Sequence, residues 1–174
     1  YRQAFRNGFF TLDTSYTEGY KNTSTTKTEG SRNHIFADLD LNFNQDETYQ
    51  SNLNFKIQRT SNDTYFKKHN INTALVEAEN TNLENEIKYS FSKDDMFLDI
   101  AASVYENLDL KEKSDKYEYI LPNIMYGKTF FTENFGTLNF ASNVLYSKFE
   151  TNKNKTFLTN DLVWRPSSNI TKKG

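Results

Sequence analysis

Cysteine is absent from the 174 residues, which excludes disulfide staples, zinc–thiolate sites and a cysteine nucleophile. Only two histidines, His34 and His69, are present, so a zinc site would have to gather carboxylates from separate strands. The net charge is only -2, which gives no electrostatic case for nucleic acid as a partner. The isolated pairs Lys67-Lys68 and Lys172-Lys173 do not change that balance. No glycine-rich phosphate loop, nucleophile elbow or basic helix occurs. No run approaches the ~18 consecutive apolar residues of a membrane helix. Proline (2) and glycine (6) are scarce. With these absences the sequence offers no catalytic residue, no cofactor site and no metal set to expect.

What is present is polar and aromatic at once. Hydrophobic residues make up 36%, below the ~45–50% of an ordinary domain, while aromatics reach 16%. That balance suits either a disordered tail or β-structure with one wet face. The chain opens at Tyr1 without a basic or apolar leader and stops at Lys172-Lys173-Gly174. Both ends read as cuts within a longer protein, with targeting information outside it.

Patterning favours strands. In residues 31–43, Ile35, Ala37, Leu39, Leu41 and Phe43 alternate with His34, Asp38, Asp40 and Asn42. From Tyr49 the period resumes, with Ser51, Leu53, Phe55 and Ile57 set against Asn52, Asn54 and Lys56. A side-chain period of two places each set on its own face. The same period predicts strands at 9–16, 83–91, 96–105, 137–148 and 156–164, and a further one over 117–131 interrupted by Pro122. Proline cannot donate to a ladder, so Pro122 should mark a bulge, a strand start or a gap. No helix is predicted; the fold class expected is all-β.

The connections carry a rhythm. Arg6-Asn7-Gly8 reads as a tight turn, since Asn-Gly is a strong hairpin signal. Residues 17–30 are long and polar, 44–47 short, 61–82 long with a strand-like patch at Leu75-Val76, 92–95 short, 107–116 long, 132–136 short and 149–155 longer again. Antiparallel neighbours send every second connection to the same end, and outer-membrane barrels place short turns at one end and long loops at the other. Several predicted strands are long, as a tilted membrane strand of ~9–11 residues requires, whereas soluble strands cluster near ~5–6. Phe43 and Tyr49, bracketing a short turn, are placed as an interfacial aromatic girdle would be. The expected architecture is an antiparallel meander of about nine strands, an open part of a transmembrane barrel. Leu39, Leu41, Phe43, Tyr49, Leu53 and Phe55 would then face membrane lipid, and Asp38, Asp40, Asn52 and Asn54 would line the lumen. A soluble β-sandwich burying the same apolar face on a second sheet stays open as the alternative.

Candidate chemistry is thin. Asp38 and Asp40 share a face with Asp13 on a nearby strand, and paired carboxylates can serve hydrolysis or calcium; a solvated lumen accounts for them more simply. His34 and His69 lack any ligand spacing. The abrupt polar break SNDTYFKKHN at 61–70 reads as a loop at the outward, long-connection end.

That break carries a resemblance. RTSNDTYFKKHNIN (59–72) resembles a strand running into an S-D-x-x-Y/F-L/F-K/R-x-Y/H loop in the barrel of the LptD family, the lipopolysaccharide-assembly proteins also called OstA or Imp. Ser61, Asp63, Tyr65 and Phe66 are its markers. YRQAFRNGFFTLDTSYT (1–17), ILPNIMYGKTF (120–130) and FGTLNFASNVLYSKFETNKNKTFLTNDLVWRP (135–166) are similar to further segments of that family in the same order, in their alphaproteobacterial style. The resemblance implies a large barrel in the Gram-negative outer membrane that releases lipopolysaccharide into the outer leaflet through a lateral opening, without covalent chemistry. It implies as partners an LptE-like plug lipoprotein and an LptA-like periplasmic bridge, the latter joined through a jellyroll domain. The family's gate prolines lie in its first barrel strands, so Pro122 does not inherit their role, and its cysteines have no counterpart here. Another outer-membrane channel such as a porin is the competing membrane reading.

Overall fold

A computed structural model describes residues 1–17, 32–43, 49–66, 71–77, 79–110, 116–149 and 153–167. Nine strands run in sequence order: β1 (Arg2–Phe5), β2 (Gly8–Thr17), β3 (Arg32–Asn42), β4 (Gln50–Thr60), β5 (Asn82–Lys93), β6 (Met96–Asn107), β7 (Tyr117–Thr132), β8 (Gly136–Phe149) and β9 (Lys153–Arg165). Every strand pairs antiparallel with its sequence neighbours in one sheet ordered β1 to β9. Among the described residues β1 and β9 do not meet, so the sheet is an open meander, and helical backbone is limited to Tyr65, Phe66 and Lys116.

From β2 onward the strands are 10 to 16 residues long. This follows from the alternation, because each strand keeps its apolar set on one face for as long as the period of two holds. The β3–β4 register pairs Leu39 with Phe55, Leu41 with Leu53 and Asp40 with Asn54. Apolar and polar sets therefore match across the ladder.

The turns explain themselves differently. At Arg6–Asn7 the chain reverses in two residues, but neither Asn7 nor Gly8 has a positive φ. Gly8 serves another need: a Cβ there would stand 1.9 Å from the backbone oxygen of Asp40 on β3. Asp94, in the two-residue β5–β6 turn, takes φ +44°, a conformation that a short polar side chain tolerates. Gly136, which opens β8, has φ +89°.

Two expectations are corrected and a third is met. The last connection, residues 150–152, is no longer than the short one at 133–135, because β8–β9 pairing runs out to Phe149 and Lys153. The long-and-short rhythm therefore holds through β8 and stops there. Leu75 and Val76 form no strand; Val76 is buried beside Phe66, with Leu75 packed against that cluster. Pro122 marks a bulge, one of the forms expected for it, and does not end β7. The strand runs through it, and register shifts between Ala101 and Ser103 and between Ile120 and Asn123 make a bulge at Leu121–Pro122. A bulge leaves its extra residue unpaired, so the missing proline N–H breaks no ladder bond.

The buried apolar side chains do not form a layer under the sheet. Phe36, Phe66, Val76, Leu83 and Leu108 gather in one cluster at the end of the sheet where the long connections leave.

Candidate functional site

The sheet has two chemically distinct faces. On the first stand Asp38, Asp40, Asn52 and Asn54, together with Asp13, His34, Lys56, Glu84 and Glu86, as the register dictates. Their polar groups are tied to one another. Asp40 accepts hydrogen bonds from the side-chain amides of Asn42 (3.0 Å), Asn52 (3.1 Å) and Asn54 (2.7 Å). Lys56 donates to Glu84 at 2.8 Å, Tyr105 donates to the other oxygen of Glu84, and Ser103 donates to Glu86. Carboxylates lie one residue-pair away from donors because cross-strand neighbours are only ~5 Å apart. Asp13 does not join Asp38 and Asp40; it faces His34 (Nε2 to Oδ1, 3.4 Å). Among the described residues no three ligating side chains come together for a metal.

The second face carries Leu39, Leu41, Leu53 and Phe55 in register, and beyond them Ile35, Ile87, Ile100, Leu158 and Leu162. No described element covers it. Leu158 and Leu162 are 66% and 65% exposed, and Phe55, Ile35, Ile87 and Ile100 are all exposed. At the end with short connections, Phe43 is exposed and the Tyr49 ring lies 5.7 Å from Phe91. Phe131, Phe135 and Trp164 join this end, all exposed, with the Trp164 indole N–H donating to the Phe135 carbonyl at 2.7 Å. The alternation over 156–164 sets Trp164 with Leu158 and Leu162, whereas Phe131, near the end of β7, and Phe135, in the following turn, give no such signal.

The segment expected as a loop does lie between β4 and β5 at the end with long connections, and it folds back onto the sheet. Of SNDTYFKKHN, residues 61–66 are described; Lys67, Lys68 and His69 lie outside the described residues, as do Lys172 and Lys173. The Tyr65 hydroxyl shares hydrogen bonds with the Ser15 hydroxyl (2.7 Å) and with Nδ1 of His34 (3.2 Å). Phe66 stacks on Phe36 at 5.5 Å, and Phe36 stacks on the His34 ring at 4.5 Å. Phe66 is 2% exposed and His34 4%, so His34 is a buried anchor, not a solvated lumen histidine. Ser15, His34 and Asp13 are connected as a nucleophile–base–carboxylate set would be, with Ser15 Oγ 2.9 Å from His34 Nδ1 and His34 Nε2 3.4 Å from Asp13, but the Ser15 hydroxyl is shared with Tyr65 and the imidazole is buried against Phe36 and Tyr65.

On its other side the segment reaches across the sheet. Asp63 pairs with Lys116, which stands before β7 and also donates to Glu106 at 2.9 Å. Burial alone would lower the pKa of Lys116, but hydrogen bonds to Asp63 and Glu106 outweigh it and hold the ammonium above the usual lysine value. Ser61 closes the segment's start, its hydroxyl accepting from the Asn33 N–H and its own N–H donating to the Asn33 carbonyl. Comparison of the chain with protein-family models, with curated proteins and with solved structures finds no match.

Proposed function

We propose that the chain is part of an outer-membrane β-barrel of the LptD type, which passes lipopolysaccharide to the outer leaflet and performs no covalent chemistry. The carrying observation is an apolar face, on a sheet of 10- to 16-residue strands, that no described residue covers. Water would not tolerate that face, a sandwich would bury it on a second sheet, and lipid satisfies it directly. The opposite face, with its amide and carboxylate network, suits a wet lumen. The exposed aromatics at the short-connection end suit the girdle at a membrane interface. Lipopolysaccharide as cargo, with an LptE-like plug and an LptA-like bridge as partners, rests on the four ordered segments that resemble the family.

The test is depletion of the protein in its parent bacterium. Lipopolysaccharide reaching the cell surface, read by its modification with enzymes added outside intact cells, should fall while outer-membrane lipoproteins keep their level. Unchanged surface lipopolysaccharide with reduced uptake of small hydrophilic solutes would replace this reading by a porin.

A further inference from the structure

Residues 61–66 hold the polar face at points far apart. Tyr65 reaches Ser15 on β2 and His34 on β3, and Phe66 reaches Phe36 on β3. Asp63, only two residues before Tyr65, pairs with Lys116 at the foot of β7. Asp63 and Tyr65 can stand only ~7 Å apart, against ~24 Å from β2 to β7 in a flat sheet, so long side chains and the curl of the sheet bring both anchors to this one segment at the long-connection end, pinned by buried aromatics on one side and by an ion pair on the other. Beyond its reach the same face is open. A groove of about 460 Å³ runs there along β7, β8 and β9, lined by Glu118, Ile120, Leu145, Ser147, Phe149 and Lys155.

We propose that Ser61–Phe66 is a fixed strap that shields the β2–β6 part of the polar face from water at this end and leaves the groove along β7–β9 as its open part. The strap is a built element and not a passing loop conformation, because its two aromatics, 3% and 2% exposed, are among the most deeply buried of the described residues. Removing the Phe66 ring takes away the stacking that seats it, and the polar side chains beneath then meet water.

The inference rests on the barrel reading, and single cysteines test both. The 174 residues contain no cysteine, and with any cysteine elsewhere in the full outer-membrane protein replaced by serine, a charged, membrane-impermeant maleimide added to intact cells reports one site at a time. Glu118→Cys marks the groove, Gln58→Cys, buried and directly opposite Phe36, the space under the strap, and Phe55→Cys the apolar face. Glu118→Cys should label ~10-fold or more faster than Gln58→Cys, and adding Phe66→Ala should bring Gln58→Cys within ~3-fold of Glu118→Cys, as expected when a local closure is removed. Equal labelling of groove and covered sites in the parent background overturns the strap, as does an absent response to Phe66→Ala. Rapid labelling of Phe55→Cys places the apolar face in water and overturns the barrel reading, and the strap with it.

Discussion

Lys116 makes two ion pairs with its side chain 13% exposed, to Asp63 on the strap and Glu106 on β6. A buried charge that loses one partner is costly, whereas an exposed pair is worth little. Lys116→Ala should therefore loosen residues 61–66 by on the order of 2 kcal/mol, read as faster amide exchange at Tyr65 and Phe66. The pH dependence has a defined sign. The folded pKa is raised above the unfolded value of 10.5, so the lysine's contribution is fully present below 10.5 and is lost as pH rises through the folded value. Exchange protection of the strap should be flat with respect to Lys116 at neutral pH and decline only in strong alkali. A decline centred near neutrality would show that another group holds the strap.

At the scale of hairpins, three glycines separate three demands. A Cβ at Gly127 would meet the Phe97 ring at 2.2 Å, but that ring is exposed and can swing aside. At Gly8 the obstacle is the Asp40 backbone carbonyl, and at Gly136 it is the Arg165 carbonyl at 2.2 Å in a backbone already at φ +89°. Gly8→Ala and Gly136→Ala should each destabilise the hairpin by more than about 1 kcal/mol, while Gly127→Ala should stay below that. Denaturant unfolding in detergent orders the three; Gly127→Ala as the most damaging would contradict the packing described. The bulge at Leu121–Pro122 belongs to the same scale, since it lets β7 pass a proline while both neighbouring ladders continue.

For the whole molecule, neighbouring residues on one strand should respond in opposite ways to the same charge. Phe55 and Asn54 point to opposite faces of β4, and Asn54 already contacts Asp40. Phe55→Arg should lower the stability of the lipid-inserted protein by about 2–4 kcal/mol, as an arginine near the bilayer midplane does. Asn54→Arg, meeting Asp40 in the lumen, should change it by under ~1 kcal/mol. Chemical unfolding from lipid vesicles measures both, and equal effects would remove the distinction between a lipid face and a wet face.

The alternation of Leu39, Leu41, Leu53 and Phe55 with Asp38, Asp40, Asn52 and Asn54 was legible without coordinates, because a strand's side-chain period is a local property of the backbone. So were the all-β class, the number of strands and most of the loop rhythm. The Asn7-Gly8 hairpin was legible too, although the need for Gly8 came from β3 and not from the turn. Only tertiary structure decided that Tyr65 and Phe66 seat on His34 and Phe36, that Asp63 finds Lys116, and that Asp13 faces His34 and leaves Asp38. Those pairs are 21 to 53 residues apart in sequence. No periodicity encodes such contacts; they follow from which strands the meander brings together at one end of the sheet and which of its two faces a returning segment can cover.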